Sequence, residues 1–159
     1  MADELNTITP VNDVFRRDVE VEDESILDPN EADALIQGEW LHINPATGKY
    51  VRADGTQRSA IQVFSQRGDL AAQALKKVAC LQLHEYEAET TMFLDTPSAA
   101  FTVGAPLVPA VGAIDGVAGR SGLDVQNSSG GLVIGYVTRV PASNGNKLRY
   151  VVHSPSVLP

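Results

Sequence analysis

The chain has 159 residues, of which 43% are hydrophobic and 20% are charged, so it can build one globular domain with an appendage. The formal net charge of −8 disfavours binding to nucleic acid, because phosphate contacts need clustered Lys and Arg. The single cysteine excludes an intrachain disulfide and a thiolate metal cluster. We also expect no membrane contact and no signal peptide, and synthesis in a cytoplasm, because the apolar runs are short and MADELNTITP lacks a basic start.

The first element in the chain is an extended acidic arm, residues 1–25, which precedes a β-rich domain over residues 26–159. Residues 1–37 contain eleven acidic and two basic residues, so this end carries a net charge of −9 and the rest of the chain is nearly neutral. The arm is nevertheless too apolar for a solvated tail. It is predicted either to order against a partner or to form a strand of the domain's own sheet, and the sequence favours neither. The partner-binding anchors in the first case are Val11, Val14, Phe15, Val19 and Val21.

A short helix and a hairpin are predicted next. Asp28 as N-cap and Pro29 at the first helical position predict a helix that ends near Gly38. The following stretch, EWLHINPATGKYVRADG, predicts strands at 40–43 and 50–52 that are joined by a turn containing Asn, Pro and Gly.

The centre of the chain is harder to interpret. Ile61 and Val63 alternate with polar residues and predict a strand, whereas residues 69–78 fit either a helix or a loop. Residues 78–89 alternate well and predict one continuous strand with two distinct faces. Cys80 lies in this run, where we expect a buried and chemically inert thiol.

The last third predicts strands and turns only. The glycines in FTVGAPLVPAVGAIDGVAG are interpreted as turn residues that separate short strands. The final stretch, GGLVIGYVTRVPASNGNKLRYVVHSP, predicts two strands joined by an Asn-Gly turn. The predicted fold class is therefore mainly β: a small β-barrel or sandwich with a short helix and an extended N-terminal arm.

Catalytic chemistry finds no support in these residues. The glycine run lacks the Gly-Lys-Ser/Thr ending of a phosphate-binding P-loop and is not followed by a helix. His42, His84 and His153 have no metal-ligand spacing, and no Gly-x-Ser-x-Gly elbow is present. Glu85, Glu87 and Glu89 are the best cation-site hypothesis, although a solvated strand face, or one paired with Arg or Lys from a neighbour, is the stronger alternative. We therefore predict no catalytic residue, no cofactor and no metal site.

Three stretches together resemble a known family. FTVGAPLVPAVGAIDG, then GGLVIGYVTRVPASNGNKLRYVVHSP, resembles the C-terminal half of tailed-bacteriophage head decoration (capsid cement) proteins, and IQGEWLHINPATGKYVRADG is similar to the matching first hairpin. The resemblance spans roughly residues 36–155, and the long acidic arm departs from the shortest members. It implies a non-enzymatic virion protein on the outer surface of the capsid. That protein would be a dimer or trimer and would bind the major capsid protein and bridge neighbouring capsomers.

A second function remains open on the residues alone. A β-domain attached to a phage tail or spike could bind a host surface glycan by stacking aromatic rings on sugar faces. The candidate rings for that alternative are Trp40, Tyr50, Tyr86, Tyr136 and Tyr150.

Overall fold

The structure is a computed structural model, and it describes residues 5–7, 16–56, 60–64, 76–81, 85–126, 132–143 and 146–157. The strands are β1 (Leu5–Thr7), β2 (Arg16–Glu20), β3 (Trp40–Ile43), β4 (Tyr50–Arg52), β5 (Ile61–Val63), β6 (Lys77–Leu81), β7 (Tyr86–Thr90), β8 (Pro106–Ile114), β9 (Val117–Val125), β10 (Leu132–Arg139) and β11 (Leu148–Val157). Two short 3-10 helices span Glu24–Leu27 and Pro141–Ser143.

The strands form two antiparallel sheets. One has six strands in the order β1-β7-β11-β10-β8-β9, and the other has five in the order β2-β6-β5-β3-β4. Neither sheet closes into a barrel within the described part of the chain, so the architecture is a sandwich. The predicted mainly β class is confirmed. The β3–β4 hairpin, the β10–β11 hairpin and the strand at β5 are also confirmed.

The main hydrophobic core lies between the two sheets, and a second core lies on the opposite face of the five-stranded sheet. Trp40 and Leu81 from the smaller sheet meet Leu107 and Tyr150 from the larger one in the main core. The second core is covered by the segment that contains the first 3-10 helix. Its members are Val19, Val21, Ile26, Leu27, Leu35, Leu41, Ile61, Val63, Val78 and Cys80. The five-stranded sheet is thus apolar on both faces.

The helix predicted from Asp28 to Gly38 is wrong. A single 3-10 turn forms earlier, where the Asp23 carboxylate accepts a hydrogen bond from the Ser25 amide at 3.0 Å, and residues 29–38 are turns and irregular backbone. The amide of Leu35 donates back to the carbonyl of Ile26 at 2.7 Å, which folds the segment onto itself. The bend places Leu35 in the second core and Ile36 in a separate cluster. A straight helix over the same residues would lose this burial, and packing contributes more to stability than helix propensity does.

The single strand predicted over residues 78–89 is also wrong. The run divides into β6 in the five-stranded sheet and β7 in the six-stranded sheet. All of β6 after Lys77 is buried, because both faces of its sheet are covered. Only β7 alternates as predicted, with Tyr86, Ala88 and Thr90 inward. The other predicted element of this region, over residues 69–78, lies largely outside the described residues.

The glycine-rich run folds into a long hairpin, where separated short strands had been predicted. Gly112 lies within β8 and Gly119 within β9, and only Gly116 is in the turn between them. Gly119 has φ +80°, and the register shifts between Gly112 and Ile114 on the opposite strand, as at a β-bulge. The turn is held by the Asp95 carboxylate, which accepts the amides of residues 115 and 116, each at 2.9 Å.

Two described segments of the acidic arm, residues 5–7 and 16–20, are strands of the chain's own sheets. β1 pairs with β7 at one edge of the six-stranded sheet, and β2 pairs with β6 at one edge of the other. Val19 and Val21 are buried in the second core, so in this arrangement neither can contact a partner. The other three predicted anchors, Val11, Val14 and Phe15, lie outside the described residues.

Candidate interaction surface

The two histidines that the structure describes do not converge on a site. His42 is buried on β3, and His153 lies on β11 in the other sheet, while His84 is outside the described residues. Burial holds the pKa of His42 below its usual value, and the nearby Asp54 carboxylate opposes that shift. Across the described ranges, no three His, Cys, Asp or Glu side chains are grouped so that they could hold a metal ion.

The three glutamates of the cation hypothesis are placed differently from one another. Arg149 donates to one carboxylate oxygen of Glu89 from Nε at 2.8 Å and from Nη2 at 2.6 Å. Glu87 accepts from the Thr138 hydroxyl at 3.3 Å, and Glu85 is exposed in the bend before β7. The alternative of pairing with a neighbouring Arg or Lys therefore describes Glu89.

The predicted burial of Cys80 is confirmed. Loss of solvation inside the second core raises the pKa of the thiol far above its ordinary value. Because the thiolate is the reactive species, this cysteine is chemically inert while the domain is folded.

Three of the five aromatic rings proposed for glycan stacking are inside the core. Trp40, Tyr86 and Tyr150 are fully buried. The two tyrosine hydroxyls each donate to the side-chain oxygen of Gln62 at 2.8 Å, and burial raises both tyrosine pKa values. Tyr50 is half-buried, and Tyr136 is 38% exposed, its ring centroid 5.0 Å from that of His153.

A buried ionic cluster, which the sequence analysis missed, ties the two sheets together. Glu39 precedes β3 and is fully buried, with its carboxylate 2.6 Å from Arg52 Nε on β4 and 3.1 Å from Arg120 Nη1 on β9. The same carboxylate accepts the amides of Ile36 at 3.0 Å and Ser121 at 3.1 Å. The sequence carries one signal for this cluster, which is Glu39 directly before Trp40 in the stretch IQGEWLHI. An acidic residue is rarely buried beside a core tryptophan unless a cationic side chain pairs with it.

The two arginines also hold the irregular segment before β3. Arg120 Nη1 donates to the carbonyl of Ala34 at 3.1 Å, and Arg52 Nη2 donates to the carbonyl of Asp33 at 2.6 Å. Backbone carbonyls without a helical or strand partner are thereby satisfied by guanidinium groups. The cluster fixes the middle of the β8–β9 hairpin, at Arg120 and Ser121, against the five-stranded sheet.

The large apolar side chains that are exposed concentrate in one part of the described sequence. Five such residues are more than a third exposed, and only Ile43, at 40%, lies on the five-stranded sheet. The other four, named here the apolar set, are Val103 (71%), Val111 (46%), Val117 (38%) and Tyr136 (38%). Val111 lies near the middle of β8, where it pairs with Ser121, and Val117 begins β9 next to the turn. Val103 lies in the turn before β8, and Tyr136 pairs in register with Pro106 at the start of that strand.

Comparison with protein-family models, with curated proteins and with solved structures finds no match for this chain. Within the described residues, none of the helices has the length and apolar character needed to cross a membrane.

Proposed function

We propose that the protein is a non-enzymatic capsid decoration protein. It would bind the major capsid protein on the outer surface of a tailed-phage head, as a homo-oligomer that bridges neighbouring capsomers. The observation that carries the proposal is the position of the apolar set. Val103, Val111 and Tyr136 lie in two of the stretches that resemble decoration proteins, and Val117 directly follows the first of them.

The physical basis is the cost of exposing apolar surface to water. A partner that covers exposed apolar side chains removes them from water, so the four residues of the apolar set are candidate contact residues. The hairpin that carries two of them is held at its middle by the buried Glu39 cluster, where Ser121 pairs in register with Val111. Contacts of this kind are individually weak, but many copies on one shell add up through multivalency.

A sedimentation experiment tests this function. The purified protein is mixed with bare capsids from the same source, the particles are pelleted, and bound copies are counted against shell subunits. Saturable binding at a near-stoichiometric ratio is the expected result. Absence of the protein from the pellet at every concentration would refute the proposal.

Charge placed on Val111 and Val117, the two members of the apolar set in the β8–β9 hairpin, tests whether these residues contact the capsid. Val111→Asp and Val117→Asp should each weaken binding to the capsid at least tenfold, because a carboxylate would be desolvated at the contact. Ile43→Asp is the matched control, since Ile43 is equally exposed but lies on the other sheet. Equal loss from all three variants would show that added negative charge, and not this surface, controls binding.

The alternative is a tail- or spike-associated domain that binds a host glycan. Only Tyr50 and Tyr136, of the five aromatic residues first considered, have rings that reach the surface. A handful of copies per virion, together with retention on immobilised host polysaccharide that Tyr136→Ala abolishes, would favour this alternative over decoration.

A further inference from the structure

The turn at the tip of the β8–β9 hairpin consists of a chemically reactive dipeptide. Asp115 and Gly116 lie between Ile114 and Val117, which pair with each other in register. Both turn residues are exposed, and their φ values of +49° and +76° are those of a type I′ turn. An Asp-Gly pair is prone to cyclise, because glycine has no side chain that obstructs attack by its own nitrogen on the preceding carboxyl group.

The reaction rearranges the main chain in two steps. The Gly116 nitrogen first bonds to the side-chain carboxyl carbon of Asp115, and the amide hydrogen and the carboxyl hydroxyl leave together as water. Water then adds to the main-chain carbonyl of the resulting five-membered imide and breaks the bond between that carbonyl and the Gly116 nitrogen. The chain now runs through the former side chain of residue 115. This isoaspartate has the same mass as aspartate, and its formation needs no oxidant and no reactant other than water.

Asp95 holds the nitrogen that would attack. One oxygen of its carboxylate accepts the amide of Asp115 and the other accepts the amide of Gly116, each at 2.9 Å. The Asp95 amide donates to the carbonyl of Ala113 at 2.9 Å, so this residue is itself fixed to the hairpin. Both peptide groups of the turn are thereby held in one orientation.

Two effects of these hydrogen bonds oppose cyclisation. Attack draws the Gly116 nitrogen to bonding distance of the Asp115 carboxyl carbon, which displaces it from Asp95. Attack also requires the amide to give up its proton, and the negative charge left on the nitrogen would lie beside the Asp95 carboxylate. The folded hairpin should therefore react more slowly than the unfolded chain.

Packing under the turn opposes the product as well. Ile114 is buried with Ile36 and Met92 in a small cluster apart from the two larger cores, and Leu94 packs against it. Isoaspartate adds one carbon to the main chain of a two-residue turn, so it would disturb the pairing of Ile114 with Val117 on which this burial depends.

We propose that Asp115 is a site of isoaspartate formation and that Asp95 protects it. Modification is slow while the Asp95 carboxylate holds the turn, and it accumulates when the tip of the hairpin opens. This inference does not depend on the proposed decoration function, because the modification is measured on the purified chain alone.

The sequence contains a second Asp-Gly pair, Asp54–Gly55, which is held in another way. The Asp54 carboxylate itself accepts the amide of Thr56 at 3.0 Å and the Thr56 hydroxyl at 2.7 Å. Here the carboxyl group under attack is engaged by its own turn. We therefore expect the rate at Asp54 to be independent of Asp95, which makes this pair an internal control in every sample.

Replacing Asp95 by asparagine tests the protection. Asp95→Asn keeps the shape of the side chain, removes its charge and leaves one oxygen for the two turn amides. Wild type and variant are incubated at neutral pH, and isoaspartate is counted in the peptide containing residues 115 and 116 by mass spectrometry with electron-transfer fragmentation. We expect isoaspartate to form about tenfold faster in Asp95→Asn, because the charge that opposes loss of the amide proton is gone.

Two controls accompany the variant. Asp28→Asn is the matched substitution, since Asp28 also accepts a turn amide, from Asn30 at 2.9 Å, but in a different turn. Its rate at Asp115 should equal that of the wild type. Wild-type chain in guanidinium chloride gives the unprotected rate, which should exceed the folded rate by a similar factor.

Each other outcome overturns the inference. Equal rates at Asp115 in the wild type and Asp95→Asn would show that Asp95 does not protect the turn. Equal acceleration at Asp54 would assign the effect to general unfolding. Absence of isoaspartate at residue 115 from the denatured chain would show that the dipeptide does not react.

Hydrogen exchange on the wild type decides the case in which Asp95→Asn does not fold. The Gly116 amide should then exchange at least about tenfold more slowly than in an unstructured chain, because it is bonded to Asp95. An unprotected Gly116 amide, or equal isoaspartate rates in folded and denatured wild type, would refute protection without any variant.

Discussion

Replacing Glu39 tests whether the buried ionic cluster holds the two sheets together. In Glu39→Gln, the volume of the side chain is kept and its charge is removed. Two guanidinium groups then lose their shared carboxylate, and the amides of Ile36 and Ser121 compete for one remaining oxygen. Removing one partner of a buried ion pair typically costs about 3–5 kcal/mol.

The structure places the expected loss at the lower end of that range. Arg120 and Arg52 keep the carbonyls of Ala34 and Asp33 as acceptors, and Arg52 remains partly in contact with water. We therefore expect Glu39→Gln to lower the free energy of unfolding by about 3 kcal/mol. For a chain of this length that is a fall of roughly 10 °C in the midpoint of thermal unfolding.

Urea unfolding followed by circular dichroism measures this free energy, with Glu24→Gln as the matched control. Glu24 also forms an ion pair, with Lys76 at 2.9 Å, but the side chains of both residues are well exposed. Its loss should leave the free energy of unfolding close to that of the wild type, since water replaces the partner. If Glu39→Gln were no more destabilising than Glu24→Gln, the cluster would not be what joins the sheets.

Three further outcomes follow from other parts of the core. Gln62→Leu leaves two buried tyrosine hydroxyls without their shared acceptor, so urea unfolding should show a loss of about 2–4 kcal/mol, and a loss under 1 kcal/mol would contradict the network. Gly135→Ala places a Cβ against the Val151 carbonyl in the neighbouring strand, so this variant should be unfolded or aggregated on size-exclusion chromatography, whereas a native elution volume would contradict the pairing. Burial lowers the pKa of His42 in the folded state, so the unfolded state takes up its proton first and stability should fall as pH drops below the ordinary value of 6.5. His42→Asn should flatten the change in unfolding free energy between pH 7 and pH 5.5, and an unchanged slope would exclude His42 as its source.

The hairpins were predictable because their signals are local. The turn at residues 44–48 combines Asn, Pro and Gly between two runs of β-forming residues, and the alternation in β10 and β11 flanks a similar signal. Backbone preferences of this kind act over a few residues, so they survive in any tertiary context. The mainly β class followed from summing them along the chain.

The helix predicted at residues 28–38 failed for the opposite reason. Its capping residues are real signals, but Asp28 instead accepts the amide of Asn30 at 2.9 Å, and the segment bends to bury Leu35 and Ile36 in separate clusters. The contacts that stabilise this bend are made with strands far away in the sequence. Local propensity is worth less than such burial, and a single sequence does not reveal where the burial occurs.

By itself, the sequence determined the mainly β class, the β3–β4 hairpin with its turn, the strands of the β10–β11 hairpin and the burial of Cys80, since each depends on neighbouring residues or on residue type. Only the tertiary structure decided that residues 78–89 divide between two sheets, that Val19 and Val21 pack inside the domain, and that Glu39 meets Arg120 from 81 positions away. The physical reason is the range of the forces. Turn chemistry acts between neighbours along the chain, whereas burial and charge pairing act between neighbours in space.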